Sequence, residues 1–220
     1  MRSSDAERVI LFVIAFAVLF GMLTCAVSPK YFHDDYARED GFVEWLTVVA
    51  LGGAAVLCGA RLRALRKGKS ALFLLGTAMA CLLFIFGAGE ELSWGQRIFG
   101  FAVPGFFLKY NAQHDFTIHN LRFHGIKLNK LIFSKLLGVF VVTYLIPLPY
   151  LYRKHETVRQ WLDRLGVPVP ANRQSVYFFI FTALTLTIQD SRKWEVLEFA
   201  GSATFALIFL NPVNRDIFEP

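Results

Sequence analysis

This sequence is poor in charge. Only 18% of its 220 residues are Asp, Glu, Lys or Arg, whereas 55% are hydrophobic. Soluble domains carry roughly 25% charged residues and rarely contain several apolar runs of membrane-spanning length. The composition therefore argues against a water-soluble domain and predicts a protein of the membrane.

Cysteine is also scarce, and several informative motifs are missing. Cys25, Cys58 and Cys81 lie in apolar stretches without a C-x-x-C spacing, which indicates small buried residues rather than a disulfide framework or a zinc site. No G-x-S-G sequence marks a rhomboid-like protease. The formal net charge of +6 does not indicate nucleic acid, because basic residues of membrane proteins usually lie in cytoplasmic loops. We expect no nucleic-acid partner.

Six apolar runs predict an all-α polytopic membrane protein, built as a single transmembrane domain over 1–220. Each run approaches the roughly 20 residues that a helix needs to cross a bilayer. The predicted spans are about 9–28, 42–60, 71–90, 132–152, 174–190 and 194–211. We expect the first span to be retained rather than cleaved as a signal peptide, because Ser28-Pro29-Lys30 is a poor cleavage site.

Lys and Arg are distributed unevenly between the two sides of these spans. The termini and the loops 61–70 and 153–173 hold 13 of the 23 basic residues. Because basic loops stay on the cytoplasmic side, both termini are predicted to lie in the cytoplasm at a bacterial inner membrane. The expected partners are membrane lipids, with a second copy of the chain or a larger membrane complex as further candidates.

The stretch 91–131, between the third and fourth predicted spans, does not follow this pattern. Its apolar part, 98–108, is broken by Gly100, Pro104 and Gly105 and is too short for a crossing helix. We expect it to lie in the outer interface or to re-enter the bilayer partway. Irregular backbone at that depth must be shielded by protein or by a wet cavity.

Acidic residues collect at the ends of three predicted spans. Because the spans alternate in direction, the start of the second, the end of the third and the start of the sixth face the same side. The residues are Asp34, Asp35, Glu39, Asp40, Glu44, Glu90, Glu91, Asp190, Glu195 and Glu198. The sequence therefore predicts a polar site on the outer face.

Two adjacent glutamates, Glu90 and Glu91, close the third run at a depth where ionised groups are costly and usually need partners. Neighbouring helical residues point about 100° apart, so Arg97 can pair with only one of them. We predict Glu91 and Glu90 as catalytic groups, and Arg97, Gln96 and Trp94 as contacts to a polar substrate head. Alternatively, the glutamates mark the helix end and Trp94 is an interfacial anchor.

Histidines follow in the segment 111–121. Imidazole serves as an acid or a base near neutral pH, so we predict His119 as a catalytic partner of Glu91 and Asn120 as a substrate contact. His114 and His119 are too far apart in sequence to share a helix face as the two histidines of H-E-x-x-H do. Alternatively, this is an outer loop, with His124 beyond it, whose His and Asn side chains cap helix ends.

A divalent metal is the cofactor that this pattern allows. Glu195 and Glu198 are three residues apart and share a helix face, a spacing that suits two oxygen ligands or an acid/base pair. With Glu44 and His114 they are the predicted ligands. Alternatively, the two glutamates stabilise the positive N-terminal end of the sixth helix without any ligand.

The segment GEELSWGQRIFGF at 89–101, followed by NAQHDFTIHNL at 111–121, resembles an uncharacterised family of bacterial multi-pass inner-membrane proteins. Members of that family read EE-(I/L)-SWGQR, then N-x-Q and (I/L)-H-N. The segments EDGFVEWLT at 39–47 and EVLEF at 195–199 are similar to the family as well. The resemblance covers most of the chain beyond the first span and implies a multi-pass fold, without an assigned activity.

Glu90, Glu91 and Arg97 also resemble the paired Glu and nearby Arg of CAAX-processing intramembrane proteases. Here, however, Arg97 follows the second Glu by six residues instead of the four in that pattern.

Two functional hypotheses remain at this point. The first is a membrane-embedded hydrolase or transferase that acts on a lipid or lipid-linked substrate at the outer leaflet. The second is a non-enzymatic transporter or a subunit of a larger membrane complex. The 23 Phe and the small-residue runs 52–55 and 87–89 favour the second, since such residues suit close helix packing.

Overall fold

A computed structural model describes residues 3–123, 126–127 and 135–219. In this part of the chain the fold is helical, as the sequence predicts, apart from a short antiparallel pair formed by β1 (Arg122–Phe123) and β2 (Ile126–Lys127). His124 and the start of the predicted fourth span lie outside the described residues.

Three helices are long and apolar enough to cross a membrane by length and composition. They are α1 (Ser3–Val27), α3 (Phe42–Leu65) and α4 (Ala71–Glu91). They coincide with the first three predicted spans. Their outward side chains, such as Phe12, Val56 and Leu83, are large, apolar and exposed, as helices that face lipid require.

The predicted span 132–152 is interrupted in the structure. Its described part forms α7 (Leu137–Leu145) and α8 (Pro147–Lys154), which are separated at Ile146. Pro147 has no backbone N–H to continue the helical hydrogen bonds, and it lies at the first position of α8, where that group is not needed.

The last two predicted spans correspond to shorter or more charged helices. α10 (Asn172–Leu186) has 15 residues, fewer than the predicted span 174–190 requires. α11 (Lys193–Leu210) has 18 residues and carries Lys193, Glu195 and Glu198 in its first two turns. Three candidate spans are therefore established by length and composition, and a six-span topology stays a prediction.

Short elements connect these helices. They are α2 (Pro29–Tyr31), a π-helical turn (Phe32–Tyr36), a 3-10 turn (Ser93–Gly95), α5 (Gln96–Phe99), α6 (Gly105–Tyr110), α9 (Glu156–Arg164) and a 3-10 turn (Arg215–Phe218).

The long helices form a bundle in which α3 packs against both α4 and α11. α11 packs also against α1 and α10. The largest core cluster joins α1, α3, α10 and α11 through buried side chains that include the fully buried Ile14, Val18, Val43 and Val196. All three cysteines are free, as their sequence context predicts. This packing brings the start of α3, the end of α4 and the start of α11 to one end of the bundle.

The opposite end is held by a buried carboxylate with a full set of donors. Arg173 donates to Glu7 through Nε at 2.7 Å and through Nη2 at 2.9 Å, and Asn211 Nδ2 donates to Glu7 at 2.6 Å. These bonds tie the first turns of α1 and α10 to the residue after α11. Glu7 therefore links α1, α10 and the end of α11 through charge-assisted hydrogen bonds.

Candidate functional site

Glu90, in the last turn of α4, anchors the segment 111–121 to the bundle. Its Oε1 accepts a hydrogen bond from Trp94 Nε1 at 2.6 Å, and its Oε2 accepts the backbone N–H groups of Ile118 and His119, both at 2.8 Å. His119 Nδ1 lies 3.0 Å from the same Oε2. Only 6% of the surface of Glu90 is exposed, so these four donors take the place of the water molecules that an exposed carboxylate would bind.

The segment 111–121 is a closed loop with its own internal bonds. A backbone bridge pairs Asn111 with Leu121, and Asn111 Nδ2 donates to the carbonyl of Thr117 at 2.8 Å. Thr117 Oγ1 donates to Asp115 Oδ1 at 2.7 Å, and Asn111, Asp115 and Thr117 are all buried. These contacts make the loop a compact unit that Glu90 docks as a whole.

Arg97 connects the loop to the region before α3. Its Nη1 donates to Asp40 Oδ1 at 2.6 Å and lies 3.8 Å from Glu44 Oε1, and its Nη2 donates to Asp115 Oδ2 at 3.2 Å. Burial lowers the pKa of Arg97, but the hydrogen bond to Asp40 and the charges of Asp40, Glu44 and Asp115 outweigh it and raise the pKa above its usual value. Arg97 is held as a permanent cation among three carboxylates.

The remaining carboxylates of this end form a group that we call the acidic cluster: Glu44, Glu91, Glu195 and Glu198. The charges of Glu44 and Glu195 act on Glu91, and the charges of Glu91 and Glu44 act on Glu198. The structure therefore brings together residues from α3, α4 and α11, which the alternation of the spans places on one side.

The members of the acidic cluster differ in their partners. Glu44 accepts the backbone N–H of Asp40 at 2.6 Å, and Glu195 lies 4.0 Å from Arg192 Nη1. Within the described part of the chain, neither Glu91 nor Glu198 has a hydrogen bond or an ion pair. Four neighbouring carboxylates repel one another when they are ionised, so this arrangement costs stability.

Glu198 is the exposed member of the acidic cluster. Glu91 is half-buried near it, and the charge of His119 acts on Glu198 from the 111–121 loop.

A pocket of about 270 Å³ opens beside Arg97. One part of its wall is polar and the other is apolar. It is lined by Asp40, Glu44, Trp45, Val48, Leu92, Arg97 and Ile98. Such a mixed wall suits a molecule with a polar group and an apolar chain.

Backbone strain concentrates around the same end. In the described residues, the non-glycine positions with positive φ are Asp40, Ser93, Trp94 and His114. Asp40 binds Arg97, Ser93 and Trp94 form the turn that leads to it, and His114 precedes Asp115. Gly95, with φ +82°, completes the turn after Trp94 in a conformation that favours glycine. Non-glycine residues are held in this region only where their surroundings impose it, typically at functional sites.

The structure places the other predicted site residues as follows. Asn120 Nδ2 donates to Gln113 Oε1 at 2.8 Å, within the loop, and Gln96 is half-buried at the start of α5. The exposed His114 lies with Nδ1 2.8 Å from the carbonyl oxygen of Leu108. Among the described residues, no three His, Cys, Asp or Glu side chains form a group that could hold a metal ion. The divalent metal stays a prediction.

Asp115 and Asp40 are the site residues that sequence reasoning missed as partners of Arg97. Asp40 was visible only as one of many acidic residues near the second span, and Asp115 only as a neighbour of His114. No pattern in the sequence pairs either with Arg97, because 57 and 18 residues separate the partners along the chain.

Comparisons with protein-family models, with curated proteins and with solved structures find no match to this chain. The resemblance to bacterial inner-membrane proteins therefore stays a prediction.

Proposed function

We propose that the protein is an integral membrane hydrolase or transferase that acts on a lipid or lipid-linked substrate at the outer leaflet of a bacterial inner membrane. In this proposal α7 with α8, α10 and α11 complete a six-span topology with both termini in the cytoplasm. The acidic cluster then lies at the outer face, near the level of the lipid headgroups.

The observation that carries the proposal is the proximity of Glu91 and Glu198 to Glu44 and Glu195, while the described chain gives Glu91 and Glu198 no donor. Carboxylates that share a site cannot all be ionised cheaply, which is how enzymes keep one carboxyl as an acid beside another that acts as a base. His119 adds a third group that exchanges protons near neutral pH.

Each group has a role in this proposal. Glu91 and His119 act as the acid/base pair, and Glu198 with Glu195 orients the attacking water or hydroxyl. Arg97, held by Asp40 and Asp115, binds the polar head of the substrate at the pocket.

The pocket wall supports a lipid-like substrate. Trp45, Val48, Leu92 and Ile98 offer an apolar surface beside Arg97. Phe42, Trp94 and Phe99, which lie close in sequence to the lining residues, are large and exposed, with Phe99 80% accessible. Aromatic and apolar side chains at this level anchor a protein in the interface and allow an amphiphile to enter from the bilayer.

The test is a mass-spectrometric comparison of total lipids from cells that make the wild-type protein, Glu91→Gln, Glu156→Gln or no protein, at matched membrane levels. Glu156 is an exposed glutamate on α9, outside the acidic cluster, and provides the matched control. We expect a lipid species that changes with wild type and Glu156→Gln and does not change with Glu91→Gln. Four coinciding profiles would contradict the proposal.

A specific observation favours the non-enzymatic alternative. A Cβ added at Gly52, Gly53 or Gly59 of α3 meets nothing within 4 Å, so these small residues leave one side of α3 open. An open small-residue surface suits close approach of another helix, in a second copy or in a larger complex. In that case Gly53→Leu lowers the assembled fraction on native gels, and Glu91→Gln leaves lipids unchanged.

A further inference from the structure

One oxygen of Glu90 binds both the backbone and the side chain of His119. Oε2 lies 2.8 Å from the backbone nitrogen of His119 and 3.0 Å from its ring Nδ1, and it also accepts the backbone N–H of Ile118. The backbone bond fixes where the residue sits, and the ring bond fixes which way the imidazole turns. Turning the ring away would break the Nδ1 contact and leave the backbone bond in place.

Both oxygens of Glu90 bind groups of the protein itself. Three donors, from Ile118 and His119, reach Oε2, and Trp94 Nε1 reaches Oε1. Glu90 is therefore occupied in holding the loop. This separates Glu90 from its neighbour Glu91, although the sequence alone predicts both as catalytic groups.

We infer that Glu90 is a positioning residue that holds His119 as the tautomer with its proton on Nδ1, so that Nε2 is the nitrogen that gains and loses a proton. A carboxylate only accepts hydrogen bonds, so the ring nitrogen beside it carries the hydrogen. In neutral imidazole the other nitrogen is then the base. The use of Nε2 in catalysis rests on the proposed function, whereas the tautomer does not.

The same relation is known in general terms from enzymes and metal sites, where a carboxylate orients an imidazole through one nitrogen and leaves the other for chemistry. Here the carboxylate also holds the backbone of the loop. The same carboxylate therefore docks the 111–121 loop and sets the tautomer of His119.

The test uses nitrogen NMR of the purified full chain labelled at histidine, since the chemical shifts of the ring nitrogens identify the tautomer. The chain has five histidines, and the His119→Gln variant assigns the signal of interest. The variant Glu90→Gln removes the charge at Oε2 with little change in size. Glu91→Gln makes the same change one residue later and is the matched control.

We expect neutral His119 to carry its proton on Nδ1 in the wild type and in Glu91→Gln. In Glu90→Gln we expect the signal to move to a mixture of tautomers, because an amide at position 90 competes for donors and has lost the charge that favours Nδ1–H. A wild-type signal from the Nε2–H tautomer overturns the inference even if Glu90→Gln does not fold. So does an unchanged tautomer in a folded Glu90→Gln protein.

This measurement needs no substrate, so it separates the two claims. If the lipid comparison finds no activity while His119 shows the Nδ1–H tautomer, the proposed function fails and the positioning role stands. If Glu91→Gln abolishes a lipid conversion while the tautomer is independent of Glu90, the positioning role fails and the proposed function stands.

Discussion

The carboxylates at the two ends of the helix bundle differ in their hydrogen-bond donors. At the end where α1 begins, both oxygens of Glu7 accept hydrogen bonds from Arg173 or Asn211. At the end where α4 finishes, the described chain gives Glu91 and Glu198 no donor, although other carboxylates surround them. The first arrangement stabilises the fold, and the second costs stability that is repaid only if the site does something else.

The same contrast separates two consecutive residues. Glu90 accepts four hydrogen bonds and holds a loop, whereas Glu91 lies beside Glu44 and Glu195 with no donor in the described chain. The two residues have the same type and adjacent positions in α4, but Glu90 is buried among donors and Glu91 is half-buried without one. The contacts therefore give Glu90 and Glu7 a structural role, and they are the basis for the catalytic roles that we propose for Glu91 and Glu198.

The largest expected effect is on activity. Glu91→Gln or Glu198→Gln should lower the rate of lipid conversion by about 10²–10⁴-fold, because each removes a group that transfers a proton. The free energy of unfolding should not fall, because no donor loses its partner and one charge leaves a group of neighbouring carboxylates. The checks are the rate of product formation and thermal unfolding in detergent. A variant that loses stability together with activity would break the comparison.

The second-largest effect is expected on stability at Arg97, the cation that pairs with Asp40 and Asp115. Arg97→Gln should lower the free energy of unfolding by about 2 kcal/mol, because the buried Asp115 loses a charged donor. Arg159→Gln on α9 is the control, since its ion pair with Glu156 is exposed and should contribute little. Chemical unfolding in detergent measures both, and an equal loss in the two variants would contradict the assigned role of Arg97.

A smaller loss is expected at the opposite end. Glu7→Gln should lower the free energy of unfolding by about 1 kcal/mol, because its partner Arg173 is 54% exposed and regains water when the charge is removed. Activity per folded molecule should stay at the wild-type level. The measurement pairs unfolding with the lipid assay, and a drop in specific activity would show that the two ends are coupled.

The smallest effect is a pH dependence. Burial lowers the pKa of His119, but the hydrogen bond and charge of Glu90, with the charges of Glu198 and Asp115, outweigh it and raise the pKa above its usual value of 6.5. A raised pKa contributes stability that is complete below the unfolded value and is lost as pH rises through the folded value.

The unfolding temperature of the wild type should therefore fall as pH rises from about 6.5, the ordinary pKa of histidine, and more steeply than that of His119→Gln. Unfolding temperatures across a pH series measure the difference. Parallel curves for the two proteins would mean that His119 contributes no such stability.

Part of this arrangement could be predicted from sequence. Hydropathy locates α1, α3 and α4, and the alternation of spans places Glu44, Glu91 and Glu198 on one side. The interruption at Pro147 also has a local signal, because proline lacks the backbone N–H that a continuous helix needs.

The distinction between Glu90 and Glu91 could not be predicted. It depends on the rotation of α4 about its axis and on the docking of a loop 28 residues further along the chain. The left-handed conformations of Asp40, Ser93 and Trp94 are equally invisible, because no glycine marks them and the surrounding contacts impose them.

The most direct test compares the unfolding of Glu90→Gln and Glu91→Gln, two neighbouring residues with the same substitution. We expect Glu90→Gln to lose about 1–3 kcal/mol, because buried backbone donors and the His119 ring lose a charged acceptor, whereas Glu91→Gln should lose no stability. Equal losses, or a larger loss in Glu91→Gln, would contradict the claim that partners decide which carboxylates hold the fold.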